Sequence, residues 1–213
     1  MVACVMLSLG VDCIQEKDCP NYVTKWGSWC ISRQVLPLAM LPIGLPDYRK
    51  DILDAKSRNM IVKATRHYYY QVFNYNYHLN EIYAINTSTP HRQGKPMSPG
   101  YLTRPEPIQI PYDLCGTSHR YVHIGGFDDA SKLQAYCALA VVGEVAIINT
   151  ILGHCDALPN GVMNGLIDYI VSYLQTTTGV RYLNYLDMVN CGEGLARFKR
   201  SVGFRSVQVS FDY

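Results

Sequence analysis

No stretch of this sequence is apolar for long enough to cross a bilayer. The longest apolar run past the first few residues, Leu36 to Leu45, contains Pro37 and Pro42, whereas a spanning helix needs about 20 apolar residues. The opening segment, Met1 to Leu9, is short, has no basic leader and is followed by Asp12, Glu16, Lys17 and Asp18, which does not suit a secretory signal. No membrane partner and a cytoplasmic location are the expectations. Charge of one sign is also missing: 19 basic side chains face 17 acidic ones, so a polyanionic partner would have to be met by a local patch. The cysteines, Cys4, Cys13, Cys19, Cys30, Cys115, Cys137, Cys155 and Cys191, form no C-x-x-C pair and no Cys/His group at zinc spacing. They read as reduced, mostly buried thiols, and nothing in the pattern calls for a metal. No internal repeat or low-complexity tract is present.

What remains suits one globular domain over residues 1–213, because a chain of this length with 48% hydrophobic residues can bury a sizeable core. Tyrosine is over-used, at 17 residues against 5 phenylalanines. The cluster Tyr68, Tyr69, Tyr70, Tyr75 and Tyr77 either lines a polar cleft or packs a wet edge.

In the first half, residues 30–43 read as extended structure interrupted at Pro37, with Pro42, Gly44 and Pro46 closing it. From Asp47 to Tyr69 the pattern predicts one helix with a basic face of Arg49, Lys50, Lys56, Arg58, Lys63 and Arg66. A second helix is expected over Leu79 to Ile85. The polar run from Asn86 to Met97 reads as a loop, and Thr103 to Gly116 as irregular or edge structure. Long polar loops tend to carry function. Asn86, Ser88, Arg92, Gln93 and Gly94 are therefore the predicted substrate-contacting residues, with the Arg92 fork suited to a phosphate or carboxylate.

The second half is more regular. Arg120 to Ile124 reads as a strand, Gly125-Gly126 as a turn, and Lys132 to Val142 and Glu144 to Gly153 as a hairpin across Gly143. Val162, Met163, Leu166, Ile167, Ile170, Val171 and Leu174 then fall at helical spacing. A strand over Val180 to Met188, a turn around Asn190 to Gly192, a helix from Gly194 to Val202 and a last strand from Phe204 to Phe211 complete the chain.

This order, strand, strand, helix, strand, helix, strand, together with the closing segment Phe198-Lys199-Arg200-Ser201-Val202-Gly203-Phe204, resembles the GNAT (N-acyltransferase) superfamily. The Phe-Lys pair is similar to that of the Fem-type aminoacyltransferases, which share the fold. The likeness covers residues 120–213, the donor-binding half, with 1–119 as the acceptor side. It implies an α/β (α+β) fold with a central mixed, mostly antiparallel sheet flanked by helices. It also implies an N-acyltransferase that moves an acyl or aminoacyl group to an amine or hydroxyl on a small or macromolecular acceptor.

The resemblance further implies that the donor's anionic end sits at the start of the central helix, Asn160, Gly161, Val162 and Met163, and that its amide-bearing arm pairs with Asn149, Thr150, Ile151 and Leu152. The family's CoA signature is absent, since only Gly161 and Gly165 lie near that helix start. The donor is thus either acetyl-CoA or another acyl-CoA bound in an altered way, or an aminoacyl group. The catalytic candidates are Asp187, His154, Tyr185 and Asp156: a base for the acceptor amine and a proton donor for the leaving group. For Asp156 and Asn160 the competing role is helix capping, for His154 a hydrogen-bonded turn, for Asp187 a solvent-facing carboxylate. A nucleic-acid acceptor or cofactor, base-modifying or tRNA-dependent, met by the basic helix, is an alternative, as is a binding protein that kept the fold without catalysis.

Overall fold

The computed structural model describes residues 4–8, 36–45, 47–92, 94–108, 120–177, 179–188 and 191–212. Its centre is an eight-stranded sheet in the order β1-β10-β2-β9-β8-β7-β6-β3. The strands are β1 (Cys4–Ser8), β2 (Leu36–Pro42), β3 (Tyr69–Val72), β6 (Arg120–Phe127), β7 (Leu133–Val142), β8 (Val145–Gly153), β9 (Tyr182–Asp187) and β10 (Arg205–Asp212), and a two-stranded hairpin, β4 (His91–Arg92) and β5 (Lys95–Pro96), stands apart. Neighbours run antiparallel except β1 with β10 and β8 with β9. The mixed, mostly antiparallel sheet flanked by helices is the GNAT-like architecture expected from the sequence.

β7 is buried along almost its whole length because both of its faces are covered. On one side lies α5 (Val162–Gln175), whose Val162, Leu166, Ile167, Ile170 and Leu174 are fully buried. On the other, α3 (Leu79–Thr87) brings Ile82 and Ile85 against Phe73, Phe127, Leu133 and Tyr136. Each face is therefore an apolar layer of helix on sheet, the arrangement that buries both element types at once.

The basic segment forms two short helices rather than one. Asp47 caps α1 (Tyr48–Asp51) by accepting from the Lys50 N–H at 3.0 Å, and Asp54 caps α2 (Ala55–Ala64) by accepting from the Ser57 N–H at 2.7 Å. The second cap ends any continuous helix, since its side chain takes the N–H groups of a new first turn. The predicted basic face is exposed, but part of it is tied to the fold. Arg49 makes a two-pronged bond to Asp168 of α5, at 2.7 and 2.6 Å, and Lys63 Nζ donates to the Pro159 carbonyl at 2.9 Å.

Other boundaries also differ from the sequence reading. The strand is not interrupted at Pro37, which pairs with Gln208 inside β2. The Asn86–Met97 loop contains the end of α3 and the β4–β5 hairpin, turned at Gly94 with φ 74°, and Pro99–Leu102 forms one turn of helix, α4. Residues 30–35, Gln93, 109–116 and Asn190 lie outside the described residues. Among the cysteines, Cys137 is buried and Cys155 and Cys191 half-buried, all as free thiols.

Gly125-Gly126 is not a turn: β6 runs straight through both. Glycine is required there by crowding, because a Cβ would sit 2.6 Å from Leu133 Cδ1 at Gly125 and 2.7 Å from the Tyr70 ring at Gly126. Gly126→Val is expected to destabilise the fold by about 1–3 kcal/mol through overpacking, read as a lower midpoint in chemical denaturation; an unchanged midpoint would contradict this packing.

Candidate functional site

β8 and β9 pair over only Val145↔Tyr182, Ala146↔Leu183 and Ile147↔Asn184, and then separate. The β8 side of the separation is a bulge. β7 pairs Leu139 with Ile148 but Ala138 with Thr150, which leaves Asn149 as an extra residue that bends the strand. On the β9 side, the fully buried Asn184 turns its amide onto its own strand. It donates to the Leu186 carbonyl at 3.2 Å and accepts from the Leu186 N–H at 3.1 Å, while Leu186 takes the left-handed φ of 52°. Lys199 of α6 (Glu193–Ser201) holds the departed end, donating to the Tyr185 carbonyl at 2.8 Å and the Asp187 carbonyl at 2.6 Å, with Nζ 4.5 Å above the Tyr185 ring. Burial pushes the Lys199 pKa down from that of a free lysine.

The parting strands leave a cavity of about 480 Å³, walled mainly by Ile151, Leu152, Leu158, Met163, Tyr185 and Phe198. Among the described residues, no strand pairs with the β8 backbone from Asn149 to Leu152 on the β9 side. The start of α5 borders the same space through Met163 and Asn164 and has no side-chain cap, which leaves the positive end of the helix dipole without a side-chain acceptor.

Of the four predicted catalytic residues, Tyr185 alone lines this cavity. Burial raises its pKa, so the phenol stays protonated. His154 caps the short helix Cys155–Asn160 by accepting from the Asp156 N–H at 3.3 Å. Asp156 is exposed and borders a different cleft beside His67, Tyr68 and Asp128. Asp187 is half-buried at the end of β9, with its carbonyl taken by Lys199. His154 lies between Gly153 and Cys155, which both line the cavity, and Asp187 lies two residues beyond Tyr185. His154, Cys155 and Asp156 bring ligand atoms within 4.8 Å of one another, but Cys155 Sγ already donates to the Ser88 carbonyl at 3.0 Å, and the His154 nitrogen is engaged as described.

Of the predicted donor-contacting residues, Ile151, Leu152 and Met163 line the cavity, whereas Asn160, Gly161 and Val162 do not. Gly161, at φ 77°, is enforced by α2, since a Cβ there would meet the Met60 carbonyl oxygen at 2.6 Å. Of the predicted substrate-contacting residues, Arg92 reaches the rim of the cavity but acts as a latch. Its Nη2 donates to the carbonyls of Ile85 at 3.0 Å and Gly153 at 2.9 Å and to Ser88 Oγ at 3.2 Å, tying the hairpin and α3 to the end of β8. Gly94 turns the hairpin, and Gln93 lies outside the described residues.

A second cavity, about 530 Å³, lies across β8 on the other face of the sheet and was not anticipated from the sequence. Thr150 lines it, next in the chain to Ile151 of the first cavity, and Asn86, Tyr121, His123 and Tyr136 form much of its wall. Asn86 Oδ1 accepts from the Tyr136 hydroxyl at 2.8 Å, and Asn149 at the bulge hydrogen-bonds Tyr121. The signal was present as the two-residue period of Tyr121 and His123 between Val122 and Ile124. Burial pushes His123 down to about 4.

No family model and no curated protein matches the chain. Among solved structures, the chain is similar to the C-terminal domain of a protein described as a lysylphosphatidylglycerol synthetase from Agrobacterium fabrum, with a TM-score of 0.52 at 16% identity, over 85% of this chain and 62% of that one. It is similar to FemX, with a TM-score of 0.56 at 11% identity, over 82% and 60%. It is also similar to a conserved protein of unknown function from Bacteroides thetaiotaomicron, with a TM-score of 0.53 at 10% identity, over 88% and 64%. The chain therefore spans less than two thirds of each of these proteins. At such identities the likeness shows the fold alone, a divergent GNAT-like one.

His123 gives the fold a pH signature. Its folded pKa, about 4, lies below the ordinary histidine value of 6.5, so between those values the unfolded chain binds the proton and the native one does not. Stability is expected to fall as pH drops from 6.5 to 4, by up to about 3 kcal/mol for this group. His123→Phe removes that part of the slope in denaturation midpoints measured across the window; an unchanged slope would show that His123 is not held neutral.

Proposed function

We propose that the chain is an acyl-group transferase whose donor enters between β8 and β9. The single observation that carries this reading is the three-pair ladder followed by a divergence into a cavity bordered by unpaired strand backbone and by an uncapped helix start. The free strand edge at Asn149–Leu152 supplies N–H and C=O groups for an amide-bearing or aminoacyl arm, as an added strand would. The α5 start supplies N–H groups for an anionic end.

The reaction is attack by an acceptor amine or hydroxyl on the donor's carbonyl carbon. A new C–N or C–O bond forms, the donor's C–S or C–O bond breaks, and the acceptor gives up one proton while the leaving group takes one. Tyr185, kept protonated by burial and lining the donor cavity, gives its phenol proton to the leaving group, and the proton released by the acceptor restores the phenol. A backbone N–H of β8 beside the carbonyl stabilises the oxyanion. His154, Asp156 and Asp187 are given no role in this scheme. The acceptor approaches from the second cavity, and its nucleophile meets the donor carbonyl at the gap that opens between β8 and β9 past Ile147.

The start of α5 has Gly161 closed off by α2, so an acyl-CoA would have to hold its pyrophosphate at Met163 and Asn164. A donor with a smaller anionic end, an aminoacyl ester, fits the same opening without that demand. Both are brought to one test. A ligand that binds only the native state raises its melting temperature, and either acetyl-CoA with CoA or a non-hydrolysable aminoacyl ester is expected to give a saturable rise. If neither class shifts the melting temperature at millimolar concentration, the donor cavity is misassigned. With the donor that binds, Tyr185→Phe is expected to lower kcat by about 100-fold with little change in KM, and Asp156→Asn to leave kcat unchanged; the reverse pattern would remove Tyr185 from the chemistry.

A further inference from the structure

The cavity on the far side of β8 has a wall composition that selects a ligand class. Four tyrosines, Tyr75, Tyr101, Tyr121 and Tyr136, surround His123 and Thr150. His123 is 3% exposed, and its Nδ1 has no hydrogen-bond partner among the described residues. Buried polar atoms almost always find a partner, so an unpartnered nitrogen in a cavity wall marks a place where something else supplies one.

The surroundings of that nitrogen are aromatic. The His123 ring lies 4.8 Å from Tyr75, 5.0 Å from Tyr121 and 5.9 Å from Phe73 between centroids. Such rings favour offset or edge-on packing with a further ring. The inner wall also carries no charge. Burial holds the His123 imidazole neutral and keeps Tyr75, Tyr121 and Tyr136 as phenols. The two charged wall residues, Arg104 and Glu106, are both exposed, and Arg104 is engaged by Asn80. A cation or carboxylate pushed in to His123 would lose its water without gaining an opposite charge.

We propose that this cavity seats an uncharged aromatic or heteroaromatic ring of the acceptor, stacked within the tyrosine wall and hydrogen-bonded at its edge to His123 Nδ1. The proposal names the acceptor class for the transferase read above and rests on that reading for the word acceptor. The presence of a ring-binding cavity does not depend on it. The ring brings its nucleophile beside Thr150, one residue from the donor cavity. Two sources share this chemistry: a free aromatic small molecule, or a nucleobase within a single strand, which stacks on aromatic side chains in the same way.

The test is equilibrium binding by ligand-observed NMR on the intact chain without any donor, so that failure of the donor assignment leaves it untouched. Indole and adenosine are the ring probes, cyclohexanol the uncharged aliphatic control and putrescine the cationic control. At least one ring probe is expected to saturate at millimolar concentration, with both controls at least tenfold weaker. His123→Phe and, at the partly exposed mouth, Tyr101→Ala each weaken the ring at least tenfold, whereas Phe198→Ala, in the donor cavity, leaves it unchanged. A mixed-sequence single-stranded oligonucleotide that displaces the ring probe supports the nucleobase source, and failure to displace it supports the free small molecule. The proposal is overturned if neither ring binds, if putrescine or cyclohexanol binds as tightly as a ring, or if ring binding survives both His123→Phe and Tyr101→Ala.

Discussion

β8 and β9 share three residue pairs and then part, and the parting is built into both strands. An extra residue at Asn149 bends β8, and the side chain of Asn184 fastens β9 into a left-handed step at Leu186. Two neighbouring strands in a sheet would otherwise satisfy each other's backbone along their full length. Here the Asn184 amide and the Lys199 ammonium take over some of the β9 groups released by the split. The β8 edge opposite them borders the cavity. Both cavities follow from this one geometric decision, since one occupies the gap and the other lies across the bulged segment.

A gap between strands keeps its shape only if the elements around it are fixed. α5 is pinned at its middle by the Asp168–Arg49 pair, in which Asp168 is 6% exposed, and at its start by the Tyr70 hydroxyl on the Val162 carbonyl at 3.1 Å. α2 presses on Gly161 closely enough that no Cβ fits. On the far side, Arg92 ties its own hairpin and the end of α3 to Gly153 at the end of β8. A buried or half-buried charge that bonds to several carbonyls is expensive to move, so Arg92 and Lys199 act as braces at the two ends of the opening. The basic residues of α1 and α2 that suggested a nucleic-acid surface are in part structural: Arg49, Arg58 and Lys63 spend their donors on Asp168, the Leu53 carbonyl and the Pro159 carbonyl.

The second half of the chain was legible in the sequence because its signals are local. The apolar runs of β7 and β8, the unbroken helical spacing from Val162 to Leu174 and the Phe-Lys…Gly-Phe ending each report one element with little help from distant contacts. What escaped depends on contacts far apart in the chain. Gly125-Gly126 carries turn residues but sits in a strand, because Tyr70 and Leu133 crowd it. Arg92 offers a fork for an anion, and one prong of it, Nη2, is tied to Gly153, 61 residues away. His154 and Asp156 stand at the right end of a strand for chemistry and are used as a local cap, whereas Tyr185 from the same reading reaches the cavity. His123 was overlooked because its period-two pattern with Tyr121 looks like an ordinary half-buried strand until the cavity beside it is seen.

The central claim is that the free β8 edge and the α5 start together receive an activated acyl donor. Residue-resolved amide hydrogen exchange, with and without the donor analogue that raises the melting temperature, tests it directly. Slower exchange confined to Asn149–Leu152 and Met163–Asn164 is the predicted result. Protection that appears elsewhere and leaves both segments unchanged would contradict it.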